Sequence, residues 1–449
     1  MKKYDNLNFS VIEKWINENS SCEENEKFIT NLEFSHYKNL NIHHEYTNDI
    51  LQSLLRDERV PTDKIVLIDN WRNQLKVADL SLNQIQLKNI YILLYLSIKI
   101  DKYLNENFNS WNKIKSSLFI NKSLISAFKA IFDISFNIKN NASPELRKII
   151  SKIKGKKTQK EKIINRLFKK AQDNNFINGS NPTIRNGKIV FPVLVTYKNN
   201  IKGIIHDQSS SGNTMFIEPF DIITIDNDIE QLYLAKEKEI KNILFEITKL
   251  LHPYYQQIYC CYNFIVKFDQ HHTIAKLAKH TNSIKPKINT KNEKIIISNG
   301  ENPILKLIGK DIIPLNLELK ENKILLLSGP NAGGKTIALK TIGLFSVMAK
   351  KGLFIPATKV EIPLFQNILT DIGDNQSITN DLSTFSAHIA NIIKIITNSN
   401  SKSIILIDEL GTGTDPDSGA ALSKAIIEKI IKLNSFLIAT THLNDLKLW

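Results

Sequence analysis

The sequence predicts a multidomain fold: an all-α core and a long-helix lever with a small β insertion, followed by an α/β domain with a mostly parallel sheet. Three observations carry this prediction. No glycine occurs before Gly155, and only Pro61 and Pro144 interrupt the first 154 residues, so that stretch reads as long helices with few tight turns. The stretch from Pro182 to Pro219 alternates apolar and polar positions with many β-branched residues, which reads as strands and hairpins. Eleven of the 16 glycines lie between residues 300 and 419, among the short apolar runs "ILLLS", "SIILID" and "FLIAT", which suit a buried parallel sheet covered by helices.

These signals set the expected boundaries. Residues 1–130 form the all-α core domain, with apolar spacings such as "LQSLL" and "LKNIYILLYLSIKI". Residues 131–290 form lever or clamp helices around a β-hairpin insertion at 182–219. In the second lever helix Ile229, Leu232, Ile240, Ile243, Ile247 and Leu250 recur at three- and four-residue steps, with Lys236 as the break, and the helix is expected from Asp226 to His252. Two long helices flanking an insertion imply an antiparallel arm. Residues 291–449 form the α/β domain.

Composition narrows the class. Apolar content of 42% with 23% charged residues describes a globular chain. The longest apolar stretch near the start, Ile90 to Ile98, has nine residues including Ser97, against roughly 17–25 for a membrane-spanning helix. The opening "MKKYDNLNFSVIEKW" lacks the apolar segment of a signal peptide. No membrane association and a cytoplasmic location are therefore expected. Three cysteines make no disulfide framework, and the adjacent Cys260 and Cys261 read as core thiols. A net charge of +14 points to a polyanion such as nucleic acid, or to a general bias toward Lys, Asn and Ile. Residues 145–170 concentrate it, with 11 Lys or Arg against two Glu on a helical pattern, either a solvated face or a phosphate-facing arm.

The chemistry lies in the last third. "GPNAGGKT" comprises Gly329, Pro330, Asn331, Ala332, Gly333, Gly334, Lys335 and Thr336. It follows the strand pattern "ILLLS" and opens the helix pattern "TIALKTIGLFSVMAKK", the setting of a phosphate-binding loop. Small residues let backbone N–H groups converge on phosphate, and the helix N-terminus favours its charge. Lys335 would reach the β- and γ-phosphate oxygens of a nucleotide, and Thr336 would hold Mg²⁺. Asp408 ends the apolar strand "SIILID" and would hold the same Mg²⁺ through water. Glu409 beside it would polarise the attacking water. His442, after the next strand in "ATTHLND", would sense the γ-phosphate. Gln376 follows another predicted strand, and Ser383 precedes an apolar pattern where it can cap a helix and donate to a γ-phosphate.

In order, GPNAGGKT, DIGDNQ, LSTF, LIDELGTGTDP and TTH resemble the MutS family ATPase, a relative of the ABC transporter engines. "NPTIRNGKIVFPV" and "GIIHDQSSSGNTMFIEP" resemble its second bacterial branch, the MutS-two type, and the likeness runs from about residue 5 to 449. The resemblance implies an ABC-like ATPase working as a homodimer through its ATPase domains. In it, Ser383 of one chain meets the γ-phosphate bound by the other, and Asp415 lies at the same interface. It implies closure driving the levers onto branched, damaged or mismatched DNA, in mismatch repair or suppression of recombination. As the alternative, the same branch also implies binding of stalled or collided ribosomes through rRNA and splitting of their subunits. A third possibility is a non-catalytic truncated remnant. Family ATPase domains continue past the TTH segment, and a linker and Smr nuclease domain usually follow. The chain is thus expected to be C-terminally truncated, its ATPase domain incomplete, with no nuclease domain. Asn375, Ala332 and Asn302 depart from the residues commoner at their positions. Phe216-Ile217-Glu218 looks like the Phe-x-Glu wedge of mismatch readers but falls in the wrong domain.

Overall fold

The computed structural model describes the chain except residues 1–2, 63–67, 109, 291–293, 331–333, 374–382, 444 and 449, and the backbone alone at 26, 106–107, 383–385, 387 and 447–448. Among the described residues no strand precedes Thr183, and the glycine-free stretch is helical, with its longest early helices at Tyr37–Leu55 and Gln84–Asn107. No described helix is long and apolar enough to cross a membrane. The chain divides into two compact units made of discontinuous segments.

One unit comprises Asn70–Leu94 and Asn121–Gln256. Its first long helix, Pro144–Asp173, starts where its sequence dictates: the Ser143 hydroxyl accepts the Leu146 amide at 3.0 Å, and Pro144 takes the first helical position, where no N–H is needed. The second, Phe220–Leu251, runs antiparallel to it. The Ser143 hydroxyl donates to Glu239 (2.6 Å), Lys156 pairs with Asp228 (2.7 Å) and Lys160 with Asp226 (2.5 Å). This second helix begins before the expected Asp226, directly after Pro219, because no turn residue separates strand from helix and Asp221 in the first turn suits the helix dipole. The expected seam holds at Ile229, Ile243 and Ile247, but Leu250 is 54% exposed and Leu251 is fully buried. Four-residue steps track a 3.6-residue period better than the final three-residue step to Leu250.

Between the two helices lie β1 (Thr183–Arg185), β2 (Lys188–Leu194), β3 (Gly203–Gln208) and β4 (Thr214–Pro219), an antiparallel sheet in the order β1-β2-β4-β3. Phe191, Val193 and Ile217 pack from this sheet onto Ile164 and Phe168 of the first helix.

The other unit comprises Met1–Asp69, Tyr95–Ile120 and Gln257–Trp449. Its mixed sheet joins β5 (Lys287–Asn289), β6 (Ile295–Gly300), β7 (Leu315–Leu319) and β9 (Lys359–Pro363) in the order β5-β9-β6-β7. A second, wholly parallel sheet joins β8 (Ile324–Ser328), β10 (Asn367–Asp371), β11 (Ser403–Ile407) and β12 (Phe436–Thr441) in the order β10-β11-β12-β8. Every residue of β11 and β12 is buried, as apolar strands covered on both faces should be.

The N-terminal segment is part of this same unit. Leu7, Phe9, Ile12 and Ile29 share one core with Leu344, Phe345, Leu406 and Ile438. Gly343 shows how close the approach is: a Cβ there would lie 2.6 Å from Leu406 Cδ1 and 2.7 Å from Leu7 Cδ2. Two buried charges fasten the segment. Asp269, fully buried, accepts the Ser20 hydroxyl (2.8 Å), the Ser21 and Cys22 amides (3.0 Å each) and the Asn25 amide group (2.9 Å). Lys351 donates to the carbonyls of Ile29 (2.7 Å) and Thr30 (3.0 Å), and burial lowers its pKa. Of the paired cysteines only Cys261 is buried; Cys260 is exposed, because neighbours on a helix face about 100° apart.

Four histidines are buried in this unit. His43 and His271 lie with ring centroids 4.4 Å apart; Thr47 meets His271 Nδ1 at 2.7 Å, and Thr62 meets His272 Nδ1 at 2.9 Å. Burial, reinforced by Lys267 on His43 and by His43 and Lys285 on His44, lowers the pKa of both to about 3. His271 and His272 are lowered well below the ordinary range for the same first reason, with His43 and Lys276 respectively the leading nearby charges. A lowered folded-state pKa means the unfolded chain binds protons first as pH falls. This contribution to stability is complete above the unfolded value near 6.5 and is lost below it, toward pH 3. Urea unfolding should therefore show stability falling from pH 7.5 to pH 5 by on the order of 1–2 kcal/mol per histidine. Equal unfolding free energies at the two pH values would contradict the cluster being neutral.

Candidate functional site

Because β8, β10, β11 and β12 run parallel, their carboxyl ends lie along one edge, where ligands of such sheets bind. The register pairs Thr441 with Ser328, Ala439 with Ile407 and Asp371 with Ile407. The residues that follow each strand are thereby neighbours: Gly329 after β8, Asp408 and Glu409 after β11, and His442 after β12.

Gly334 holds φ at +73° immediately before the Lys335–Lys350 helix, a conformation glycine takes without strain. Among the described residues, nothing lies within 4 Å of where its Cβ would be. Lys335 is half-buried; its ammonium donates to the carbonyls of Gly329 and of Pro330 (3.2 Å) and stands 3.5 Å from His442 Nε2. Residues 107 positions apart in the chain thus meet over the loop. Thr336, in the first helical turn, is exposed. This set of groups fits a nucleotide phosphate with Mg²⁺: an ammonium at the carbonyls of Gly329 and Pro330, a hydroxyl at a helix start and a strand-end carboxylate. Asn331, Ala332, Gly333 and Gln376 lie outside the described residues, as does Asn375. Ser383 begins the Ser383–Thr397 helix, but its side chain is outside them too.

Asp408 and Glu409 are held by groups that sequence reasoning missed. The Thr440 hydroxyl, fully buried, accepts the Glu409 amide at 2.7 Å and donates to Asp408 Oδ1 at 2.5 Å. The Asp408 amide donates to the Asp371 carbonyl at 2.8 Å. Glu409 itself is exposed and sits at φ +55°, left-handed for a residue with a side chain. Such backbone costs on the order of 1–3 kcal/mol and persists where surrounding bonds enforce it; here its carbonyl accepts the Thr412 amide (3.2 Å) and hydroxyl (2.8 Å). Asp371, 4% exposed, accepts His388 Nδ1 (2.9 Å) and Asn391 Nδ2 (2.8 Å). The available signals were a polar pair ending the apolar run "FLIATT" and a carboxylate ending "NILTD", the pattern that pointed to Asp408.

The remaining marked residues have local partners. Asp415 caps the Pro416–Lys432 helix, accepting the amides of Asp417 (3.1 Å) and Ser418 (3.2 Å), and its bonds to Ser418 lower its pKa. Asn302 caps the short Pro303–Leu307 helix and donates to Thr341 of the phosphate-loop helix at 2.9 Å. Phe216 is 9% exposed beneath the Arg185 guanidinium, 4.6 Å from the ring centroid, and Glu218 is 3% exposed with His206 Nε2 at 2.6 Å from its carboxylate. Neither presents a wedge to a duplex.

Residues 325–448 match the MutS domain V family. The chain is similar to proteins named Endonuclease MutS2. It is 38% identical to that of Caldicellulosiruptor saccharolyticus over 374 residues, covering 82% of this chain and 47% of the relative. It is 33% identical to that of Lachnospira eligens over 454 residues, covering 100% of this chain and 57% of the relative. The chain spans about half the length of these curated relatives.

The Thr440 bonds are open to test. Thr440→Val keeps the volume but leaves the Glu409 amide without its acceptor and Asp408 without its donor. Chemical unfolding should show a loss of about 1–3 kcal/mol. An unchanged unfolding free energy would mean that water replaces the hydroxyl without cost.

Proposed function

The chain belongs to the MutS family, on the branch of the MutS2 proteins, and from that membership we propose that it is an ATPase that gates nucleic-acid binding. The observation that carries the reading is the convergence of Lys335, Asp408, Glu409 and His442 at one sheet edge. Lys335 would take phosphate oxygens in place of the loop carbonyls it now bonds. Thr336 and Asp408 would hold Mg²⁺, which when bound neutralises charge on the β- and γ-phosphates. Glu409, held outward by its left-handed backbone, orients the attacking water and accepts its proton. His442 reads the γ-phosphate from the strand beside the loop. Gly329 through Gly334 and Gln376 complete the nucleotide site. Ser383 and Asp415 serve the composite site of a homodimer, each chain completing the other's.

The partner proposed is branched or mismatched DNA. On the exposed face of the Pro144–Asp173 helix, Lys154, Lys162, Arg166 and Lys169 carry no ion pair among the described residues, whereas Lys156 and Lys160 are neutralised by Asp228 and Asp226. From Lys154 to Lys169 this unpaired row extends roughly 22 Å at 1.5 Å per residue, the dimension of a stretch of phosphate backbone.

Two experiments bear on this. ATP turnover by the purified chain should rise more than linearly with protein concentration and vanish in Glu409→Gln while nucleotide binding persists. Turnover surviving in that variant would remove Glu409 from the reaction. Binding to a four-way DNA junction should weaken steeply with salt. In Lys162→Glu/Arg166→Glu the slope against log salt should shrink by about one for each lost phosphate contact. An unchanged slope would assign the row to a solvated face, and ribosome co-sedimentation without junction binding would transfer the partner to rRNA.

A further inference from the structure

Asp371 stands between two parts of the site that the sequence treats as unrelated. On its backbone side, its carbonyl accepts the amide of Asp408 at 2.8 Å. On its side-chain side, both carboxylate oxygens are taken by one helix, Ser383–Thr397: His388 Nδ1 at 2.9 Å from Oδ2 and Asn391 Nδ2 at 2.8 Å from Oδ1. Asp371 is 4% exposed, so these donors stand in for water on a nearly buried carboxylate. His388, its side chain 33% exposed, lines the same small cavity as Asp408, Glu409 and Thr412.

We propose that His388, with Asn391, is a positioning residue for hydrolysis: through Asp371 it fixes the helix that opens at Ser383 against the strand end carrying Asp408 and Glu409. This rests on the reading of the edge as an ATPase site. The grip is geometrically specific. His388 and Asn391 are three residues apart and so share one helix face. With one donor on each carboxylate oxygen, a slide of the helix along its axis, or a rotation about it, breaks at least one bond. Each tether is short. Asp371 ends β10, which pairs in register with β11, so the carboxylate and the Asp408 amide belong to one rigid sheet edge. A helix gripped there carries its first turn with it, five residues before His388. Displacement of a reacting group by about 1 Å costs up to roughly 100-fold in rate, so a tether of this kind acts on turnover more than on affinity.

The experiment compares wild type, His388→Ala and His388→Asn, whose amide is a donor of similar reach to Nδ1. Three quantities are read: equilibrium binding of ATPγS, steady-state ATP turnover, and backbone hydrogen exchange of residues 388–397 and 404–408 without nucleotide. His388→Ala should lower kcat roughly 10- to 100-fold with ATPγS affinity within about threefold of wild type. It should also speed exchange in both segments, and His388→Asn should restore most of the rate and the protection. Wild-type kcat in His388→Ala with faster exchange would reduce the network to satisfaction of a buried carboxylate and overturn the proposal. A loss of ATPγS affinity with kcat unchanged would overturn it in favour of nucleotide contact. If the wild-type chain shows no turnover, the ATPase reading fails, while unchanged exchange at 404–408 in His388→Ala would separately defeat the tether. Should His388→Ala fail to fold, His388→Asn and Asn391→Ala carry the same comparison.

Discussion

Parallel pairing of β8, β10, β11 and β12 is the constraint from which the site follows. Side chains on different strands meet at an edge only if the strands end together, and the register makes Ser328, Asp371, Ile407 and Thr441 ends of adjacent strands. Were one strand reversed, its chemical residue would sit about 17 Å away at the opposite edge, given five residues at 3.3 Å each. The order β10-β11-β12-β8 also sets which groups can touch. The strand carrying Thr440 lies beside the strand carrying Asp408, and β12 lies beside β8, so His442 reaches Lys335.

What could be read from the sequence divides along the same line. The strand and helix that flank the glycine-rich segment were legible because their pattern is local: apolar run, glycines, lysine and amphipathic run follow one another within about 20 residues. The Asp408–Glu409 pair was legible because an acid ending a wholly apolar run has no packing reason to be there. Thr440 was not legible, since a threonine in a strand is ordinary until strand order puts it against Asp408 and Glu409. Asp371 with His388 failed for the same reason. The four buried histidines come from two adjacent pairs more than 200 residues apart (Thr47 and His271, for example, are 224 apart), and no periodicity announces such a meeting. The expected pair of long helices around a β insertion was legible from apolar spacing, whereas the Ser143 cap and Pro144 at the first helical position of the first helix went unread. The largest drift, the start of the second helix at Phe220 in place of Asp226, came where a strand ran into a helix without punctuation.

Buried charge has a different job in this unit from buried hydrocarbon. Leu7, Phe9 and Ile12 would be content against many apolar surfaces, but Asp269 is satisfied only when Ser20, Ser21, Cys22 and Asn25 converge on it. Lys351 likewise needs the carbonyls at the end of the Phe28–Asn31 turn. Removing one side of such a contact leaves a charge stranded out of water, which is costlier than a lost apolar contact. Packing thus supplies the cohesion, and the polar contacts select one seating of the N-terminal segment on the phosphate-loop helix.

That seating has a consequence for birth of the chain. Ile29 and Lys351 are 322 residues apart, so the first part of this core leaves the ribosome well before the part it packs on. At roughly 5–20 residues per second the interval is about 16–64 s. Throughout it Leu7, Phe9 and Ile12 have no Phe345 or Leu406 to cover them, long enough for many encounters with other nascent chains. Vectorial synthesis therefore makes the opening residues wait for the closing ones, and the time spent waiting depends on elongation speed and on whatever shields the segment meanwhile.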